Sequence, residues 1–236
     1  MIKRLLVGVL CMVVAIAGVG CAQASSIESE KKGDETVGNL TMLGRASVKI
    51  ELENGKVIYI DPFAGSAEDY SEPADLVLVT HQHGDHNNVD LVTLNEGGQV
   101  IQCPTDVTAG DTLEAQGIEI MAVPAYNDNH AKEVCCGFVL KMDGLTFYHS
   151  GDTSKIEEMA ELTDLNIDYA LICMDDFYNM GPEEAMEVAE IIKPRVVVPI
   201  HTSPQGEFDQ ATVTRFNFEE TVVLEPQMNV SLVKVN

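Results

Sequence analysis

Four ionisable side chains follow one another closely in the segment THQHGDH, residues 80–86, which comes directly after an apolar run. Three of the chain's six histidines lie there. On an extended stretch, His81 and His83 project to the same side, and a turn at the following glycine lets Asp85 and His86 face a second point nearby. Imidazole and carboxylate groups are ligands of zinc, iron and manganese. The spacing predicts a metal site rather than a solvated polar loop.

The elements that must position this segment are strands and helices in alternation. Runs of β-favouring residues predict strands at 48–52, 57–60, 76–79, 100–103, 118–123, 138–140, 145–148, 169–173 and 195–200. Asn54-Gly55 predicts a type I′ hairpin turn, and Asp143-Gly144 predicts a second hairpin. Helical spacing predicts one helix over Ser154–Leu162 and another that begins at Pro182. This alternation predicts an α/β fold in which helices cover the sheets.

Several segments, taken together, resemble the metallo-β-lactamase superfamily of dinuclear metallohydrolases. These are HxHxDH at 81–86, LGRAS at 43–47 with IDPF at 60–63, FYHSGDT at 147–153, and MGPEEA at 180–185 followed by VPIH at 198–201. The resemblance runs from about Leu40 to the C-terminus and is strongest to the branch of ascorbate-6-phosphate lactonase-like proteins. It implies a four-layer αββα sandwich with metals at one edge of the two sheets.

The resemblance also implies a ligand set for two divalent metal ions. Its members are His81, His83, Asp85, His86, His130, Asp152 and His201. The first three-histidine group would hold one ion, with His130 as its third member and His149 as the competing candidate. Asp152 would bridge the two ions. Zinc is the first expectation for these ligand types, while manganese and iron remain compatible with them.

Such a site predicts a hydrolase. Two divalent ions about 3.5–4 Å apart can share one water and deprotonate it near neutral pH, and the resulting bridging hydroxide attacks a small ester, lactone, amide or phosphodiester. Asp85 would accept a hydrogen bond from the nucleophile, and Asp152 would offset part of the metal charge. The alternatives are a non-catalytic exported metal-binding protein, which we expect to lack a ligand, and a diiron redox protein of the same fold, which normally carries a partner domain.

Two segments depart from the superfamily pattern. Arg45 stands where relatives often have His, and it would either bind a substrate carboxylate or phosphate at the rim or pair with a surface acid. Asp175 and Asp176 replace a Gly-rich stretch, and we expect them near the mouth, where they would repel anionic substrates. The remaining predicted substrate contacts are Tyr126, Asn127 and Tyr178.

The charge balance restricts the partners. The 236 residues include 14 Lys plus Arg against 38 Asp plus Glu, a net charge of −24. A surface that negative repels a phosphate backbone, so we expect a small-molecule substrate and no nucleic acid. Four cysteines lie in the predicted domain at 103, 135, 136 and 173, none at a matched ligand position.

The N-terminus predicts export. Lys3 and Arg4 precede an uncharged apolar run, and AQA at 22–24 is typical of a signal-peptidase site. We therefore predict a signal peptide at 1–24, a flexible tether at 25–38 and one domain at 39–236. Cys21 offers a second outcome, since bacterial lipoproteins are cut before such a residue, which then carries the lipid. The protein would be periplasmic, secreted or anchored at the cell surface.

Overall fold

The computed structural model describes residues 34–235, and its centre is a pair of facing six-stranded sheets. In chain order the strands are β1 (Glu35–Gly44), β2 (Ser47–Leu52), β3 (Val57–Ile60), β4 (Ala74–Val79), β5 (Leu94–Gln102), β6 (Thr112–Ala115), β7 (Ile118–Pro124), β8 (Cys136–Met142), β9 (Leu145–His149), β10 (Tyr169–Cys173), β11 (Val196–Ile200) and β12 (Asn229–Lys234). One sheet has the order β12-β1-β2-β3-β4-β5, and the other has the order β11-β10-β9-β8-β7-β6. The predicted α/β sandwich is confirmed.

The helices are α1 (Pro182–Ile192), α2 (Gln210–Arg215) and two 3₁₀ segments, Val89–Leu91 and Glu157–Leu165. Helix α1 begins at Pro182 as predicted and buries one apolar stripe in the core. The helix predicted at 154–162 is instead the second 3₁₀ segment. Its buried residues are Met159 and Leu162, and this spacing of three matches the three-residue turn of a 3₁₀ helix.

The main core fills the space between the two sheets and extends beneath α1. Strand β4 is buried on both faces, as its continuous apolar run predicted. Leu76 and Leu78 face the main core, whereas Val77 packs with Tyr59 and Tyr70 in a smaller cluster on the other face of the sheet. This strand, which leads into the histidine-rich segment, is therefore fixed from both sides.

Two local predictions were wrong. The loop after β2 is a turn closed by Gly55 N–H, which donates to Leu52 O (2.8 Å). Only Gly55 of the Asn54-Gly55 pair has a positive φ, 87°, so the turn is not type I′. The predicted tether also extends too far, because Glu35–Gly38 belong to β1 and pair with β12. Burial of Val37 (6% exposed) explains why the strand begins there.

Strand direction decides where the functional side chains meet. Strand β4 is parallel to β3 and β5, and β10 is parallel to β9 and β11. The carboxyl ends of parallel strands lie at one edge of a sheet, and ligands bind at such edges. His81, Asp152 and His201 all follow strands that end there. Among residues 34–235, no helix has the length and apolarity to cross a membrane.

Candidate metal centre

The seven predicted ligands converge at this edge in three overlapping groups. His81 and His86 belong to the segment after β4, Asp152 follows β9, and His201 follows β11. His130 lies in the β7–β8 loop, where a tight turn holds it through hydrogen bonds between its backbone and that of Asn127 (3.0 and 3.2 Å). The groups are His81, His83 and His130; His81, His86 and Asp152; and Asp85, His86 and His201.

The separations between these atoms are those of ligands around a metal. Asp152 Oδ1 is 3.5 Å from His86 Nε2, and Asp152 Oδ2 is 3.5 Å from His130 Nε2. His201 Nε2 is 3.6 Å from Asp85 Oδ2. These contacts are too long for hydrogen bonds. Two tetrahedral ligands, each about 2.1 Å from a zinc ion, would be about 3.4 Å apart.

Three buried polar atoms in the cluster also have no hydrogen-bond partner: His81 Nε2, His86 Nε2 and Asp152 Oδ1. Leaving such atoms unsatisfied is costly, so each requires an explanation. A cation bound between them would satisfy all three at once. The donor set and its geometry therefore fit divalent metal ions.

A buried carboxylate, Asp61, orients two of the histidines. It accepts hydrogen bonds from His86 Nδ1 (2.8 Å) and from Thr80 Oγ1 (2.7 Å). Since the Thr80 hydroxyl donates its proton to Asp61, its oxygen accepts from His81 Nδ1 (3.1 Å). Both rings therefore hold a proton on Nδ1 and direct Nε2 into the cluster, which is the orientation metal binding requires.

Asn127 holds His130 in the same way, and Asp175 lies beside the ring of His201. Asn127 Oδ1 accepts from His130 Nδ1 (2.8 Å). Asp175 Oδ2 lies 3.1 Å from His201 Nδ1. In each case the other ring nitrogen, Nε2, is left facing the cluster.

The orienting roles of Asp61, Thr80 and Asp175 were not predicted from the sequence. A signal for Asp61 was present. It directly follows β3, whose parallel register with β4 pairs Ile60 with Leu78 and so brings Asp61 beside the start of the histidine segment.

Burial and local charge shift the pKa values of the histidines in different directions. Burial lowers the pKa of His81 to about 3 and also lowers the pKa of His130. Burial acts in the same direction on His201, but the carboxylates of Asp152, Asp175 and Asp85 outweigh it and raise its pKa to about 9. Cation binding at His201 would therefore release a proton, whereas His81 offers its lone pair directly.

His149, the competing third ligand, faces away from the cluster. Its Nε2 donates to Ala46 O (2.9 Å), and its Nδ1 accepts from Gly151 N–H (3.2 Å). Both ring nitrogens are engaged and the side chain is fully buried. The structure thus brings His130, and not His149, next to His83, with 3.1 Å between their ring nitrogens.

Arg45 lies inside the site. Its guanidinium donates to Asp85 Oδ2 (2.5 Å) and lies 3.3 Å from His201 Nε2. From the sequence, Arg45 could be either a rim residue that binds substrate or a surface residue that pairs with an acid. The observed partner is an acid, but it is one of the candidate ligands.

Backbone strain accompanies this arrangement. Arg45, Asp61 and His201 have φ values of 50°, 50° and 45°, in the left-handed region that non-glycine residues rarely occupy. Arg45 and His201 are tied directly, since His201 N–H donates to Arg45 O (2.7 Å). Such strain persists where the surrounding structure fixes it and is typical of functional sites.

A cleft of about 460 Å³ opens over the cluster. Its lining consists of Arg45, His83, Asp85, Asn129, His130, Asp152, Tyr178, His201 and Pro204. Of the four predicted substrate contacts, Arg45 and Tyr178 line this cleft, while Tyr126 and Asn127 line a neighbouring one. The Tyr126 hydroxyl is engaged by Glu158 (3.0 Å). Asn129 was not singled out in the sequence.

The expectation that two acids lie at the mouth was wrong. The Asp175 side chain is fully buried and accepts from the backbone N–H groups of Phe177 (2.8 Å) and Tyr178 (2.7 Å). Asp176 pairs with Arg215 (2.6 Å). Asp175 is therefore a structural group behind His201, and Asp176 is neutralised.

Comparison with known proteins identifies the family. A model of the beta-lactamase superfamily domain matches residues 39–201. The chain belongs to the metallo-β-lactamase superfamily. A UPF0173 metal-dependent hydrolase of Thermococcus kodakarensis is 34% identical over 80% of this chain and 97% of that protein. A UPF0173 metal-dependent hydrolase of Methanospirillum hungatei is 33% identical over 83% of this chain and 99% of its own length.

The superfamily fold is shared with solved structures. Igni18, a metallo hydrolase of the archaeon Ignicoccus hospitalis, is 27% identical and superimposes with a TM-score of 0.66. The match covers 83% of this chain and 98% of that chain. The chain therefore matches superfamily members along nearly their whole length.

Proposed function

We propose that this protein is a metal-dependent hydrolase that holds two divalent ions and cleaves a small ester, lactone, amide or phosphodiester. One observation carries the proposal. The two carboxylate oxygens of Asp152 face different histidines, with Oδ1 3.5 Å from His86 Nε2 and Oδ2 3.5 Å from His130 Nε2. A carboxylate placed in this way is suited to bridge two cations. The metal-dependent hydrolases among its relatives support the same reaction class.

The side chains of the cleft have different roles in the proposed reaction. Bound divalent ions would lower the pKa of a coordinated water to near neutrality and polarise the bond under attack. Asp85, partly exposed at the cleft, accepts a hydrogen bond from the attacking water and aligns it. Asp152 stays ionised because the positive charges of His86 and His201 outweigh the effect of burial and hold its pKa well below the ordinary value.

The size and charge of the molecule favour a small substrate. A cleft of about 460 Å³ has room for a small molecule but not for a folded macromolecule. The net charge of −24 disfavours nucleic acid. Zinc is the proposed ion, because a set of imidazole and carboxylate ligands is typical of zinc sites.

The test is metal content, compared between the wild-type protein and Asp152→Ala. We expect about two equivalents of one metal per wild-type chain, measured by elemental analysis after purification without chelators. The substitution removes the group shared by both sites, so both equivalents should fall sharply. Asp164→Ala is the matched control, since Asp164 is exposed on the 3₁₀ segment at the opposite edge of the sheet.

Activity provides the second readout. The metal-loaded protein is screened against a chromogenic ester, a lactone, an amide and a phosphodiester, each with and without chelator. We expect turnover of at least one substrate, lost with chelator and restored by zinc. A folded wild-type protein that takes up no zinc, manganese or iron would refute the proposal.

A further inference from the structure

We propose that Arg45 makes the two metal positions unequal, so that the site of Asp85, His86 and His201 binds its ion more weakly than the site of His81, His83 and His130. This inference rests on the proposed function. It concerns Arg45, whose guanidinium lies within the cluster of candidate ligands.

The guanidinium stands where a cation would approach the second site. Its Nη2 is 2.5 Å from Asp85 Oδ2 and 3.3 Å from His201 Nε2, and these two acceptor atoms are 3.6 Å apart. An ion bound to His201 would lie at most about 5.4 Å from that nitrogen, the sum of the contact and an ordinary zinc–nitrogen bond. Two like charges so close, inside a buried site, repel each other strongly.

Competition for ligand atoms adds to this repulsion. The negative charge of Asp85 is shared with Arg45, and the guanidinium lies 3.3 Å from His201 Nε2, the nitrogen that the second ion would have to bind. No cationic side chain other than Arg45 is hydrogen-bonded to a candidate ligand of the described chain. The first group thus keeps its three nitrogen ligands free of such competition.

Arg45 is shielded from solvent, and its backbone is anchored. Its side chain is only 11% exposed. The backbone is held on both sides, because Arg45 N–H donates to Glu207 O (2.8 Å) and Arg45 O accepts from His201 N–H (2.7 Å). The positive charge is therefore a built-in part of the second site. When metal is scarce, the protein would hold one ion with the guanidinium as the second positive group.

Zinc titration of the purified full-length protein tests this inference. Metal-free wild type, Arg45→Gln and Arg45→Lys are titrated against a chromophoric zinc chelator, and bound zinc is counted by elemental analysis. We expect wild type to bind its second equivalent at least tenfold more weakly than its first. Arg45→Gln removes the charge, so its second equivalent should tighten about tenfold, while Arg45→Lys should keep the difference.

The control is Lys141→Gln, which removes one positive charge at the far end of β8 from an exposed pair with Glu119. It should titrate like wild type, and circular dichroism should show that all variants are folded. Two equally tight equivalents in wild type, or weaker second binding in Arg45→Gln, would overturn the inference and leave the proposed function intact. No zinc uptake by wild type would overturn both.

Discussion

At the scale of single residues, the cluster depends on groups that do not themselves face the cleft. Asp61 is fully buried behind the histidines, yet it fixes the proton position of His86 directly and that of His81 through Thr80. Burial would raise the pKa of Asp61, but the charge of His86 and its hydrogen bond hold it below the ordinary value. Asp61 therefore remains an acceptor, and both histidines keep Nε2 directed into the cluster.

Asp61→Asn tests this role. The amide N–H₂ would donate a hydrogen bond where the carboxylate accepted one. His86 Nδ1 would then have to act as the acceptor, so the ring proton would lie on Nε2. We expect zinc affinity to fall by about tenfold to a hundredfold, the usual effect of changing a group that orients a metal ligand. Chelator competition measures it.

The matched control for this substitution is Asp164→Asn, which makes the same chemical change at an exposed position. It should leave zinc affinity unchanged. Equal affinities for Asp61→Asn and wild type would show that the hydrogen-bonded chain does not set the histidine tautomers.

At the scale of elements, the direction and ends of the strands matter most. Strand β1 lies between β12 and β2 in the first sheet and thereby joins the C-terminal strand to the rest of the fold. Its first residues extend that pairing, with Glu35 opposite Lys234 and Thr36 opposite Val233. Residues 35–38 thus belong to the folded domain.

Two truncated chains check this boundary. A chain that begins at Asp34 keeps all of β1, and we expect its free energy of unfolding to equal that of residues 25–236. A chain that begins at Asn39 loses Val37, whose buried side chain is worth about 1.5–3 kcal/mol. Urea unfolding followed by circular dichroism measures the difference. Equal free energies of unfolding for the two truncated chains would show that the tether ends at residue 38 and the domain begins at residue 39.

At the scale of the whole molecule, the net charge and the N-terminal segment bear on the location of the protein and on its binding partners. The net charge of −24 opposes docking on anionic lipid through a basic patch. Residues 1–33 lie outside the part that the structure describes. We propose export from their sequence, with attachment through lipid at Cys21 or release after residue 24.

Mass spectrometry of the mature N-terminus distinguishes these outcomes. Expression of the full chain in a bacterium should give a protein that begins at Ser25 or at a lipid-modified Cys21. In the lipidated case, Cys21→Ala should abolish the added mass and free the protein from the membrane fraction. A chain that retains Lys3 and Arg4 and stays in the cytosol would contradict export.

Much of the site could be predicted from local sequence. The segment at 80–86 has histidines and an aspartate at spacings that favour a cation site, and the apolar run before it favours a buried strand. Motifs shared with the superfamily then indicated Asp152 and His201 across the chain. These predictions were possible because residue type and short spacing are encoded directly, and a strand imposes its period on them.

Tertiary structure decided what depends on residues far apart in the chain. The choice of His130 over His149 required the direction in which each ring points, and His149 is turned towards Ala46, 103 residues away. Asp175 looked like a charge at the mouth until its burial behind His201 was known. Arg45 meets Asp85 across 40 residues because both lie at the sheet edge. Sequence specified which groups could bind a metal, whereas packing alone fixed which of them face one point.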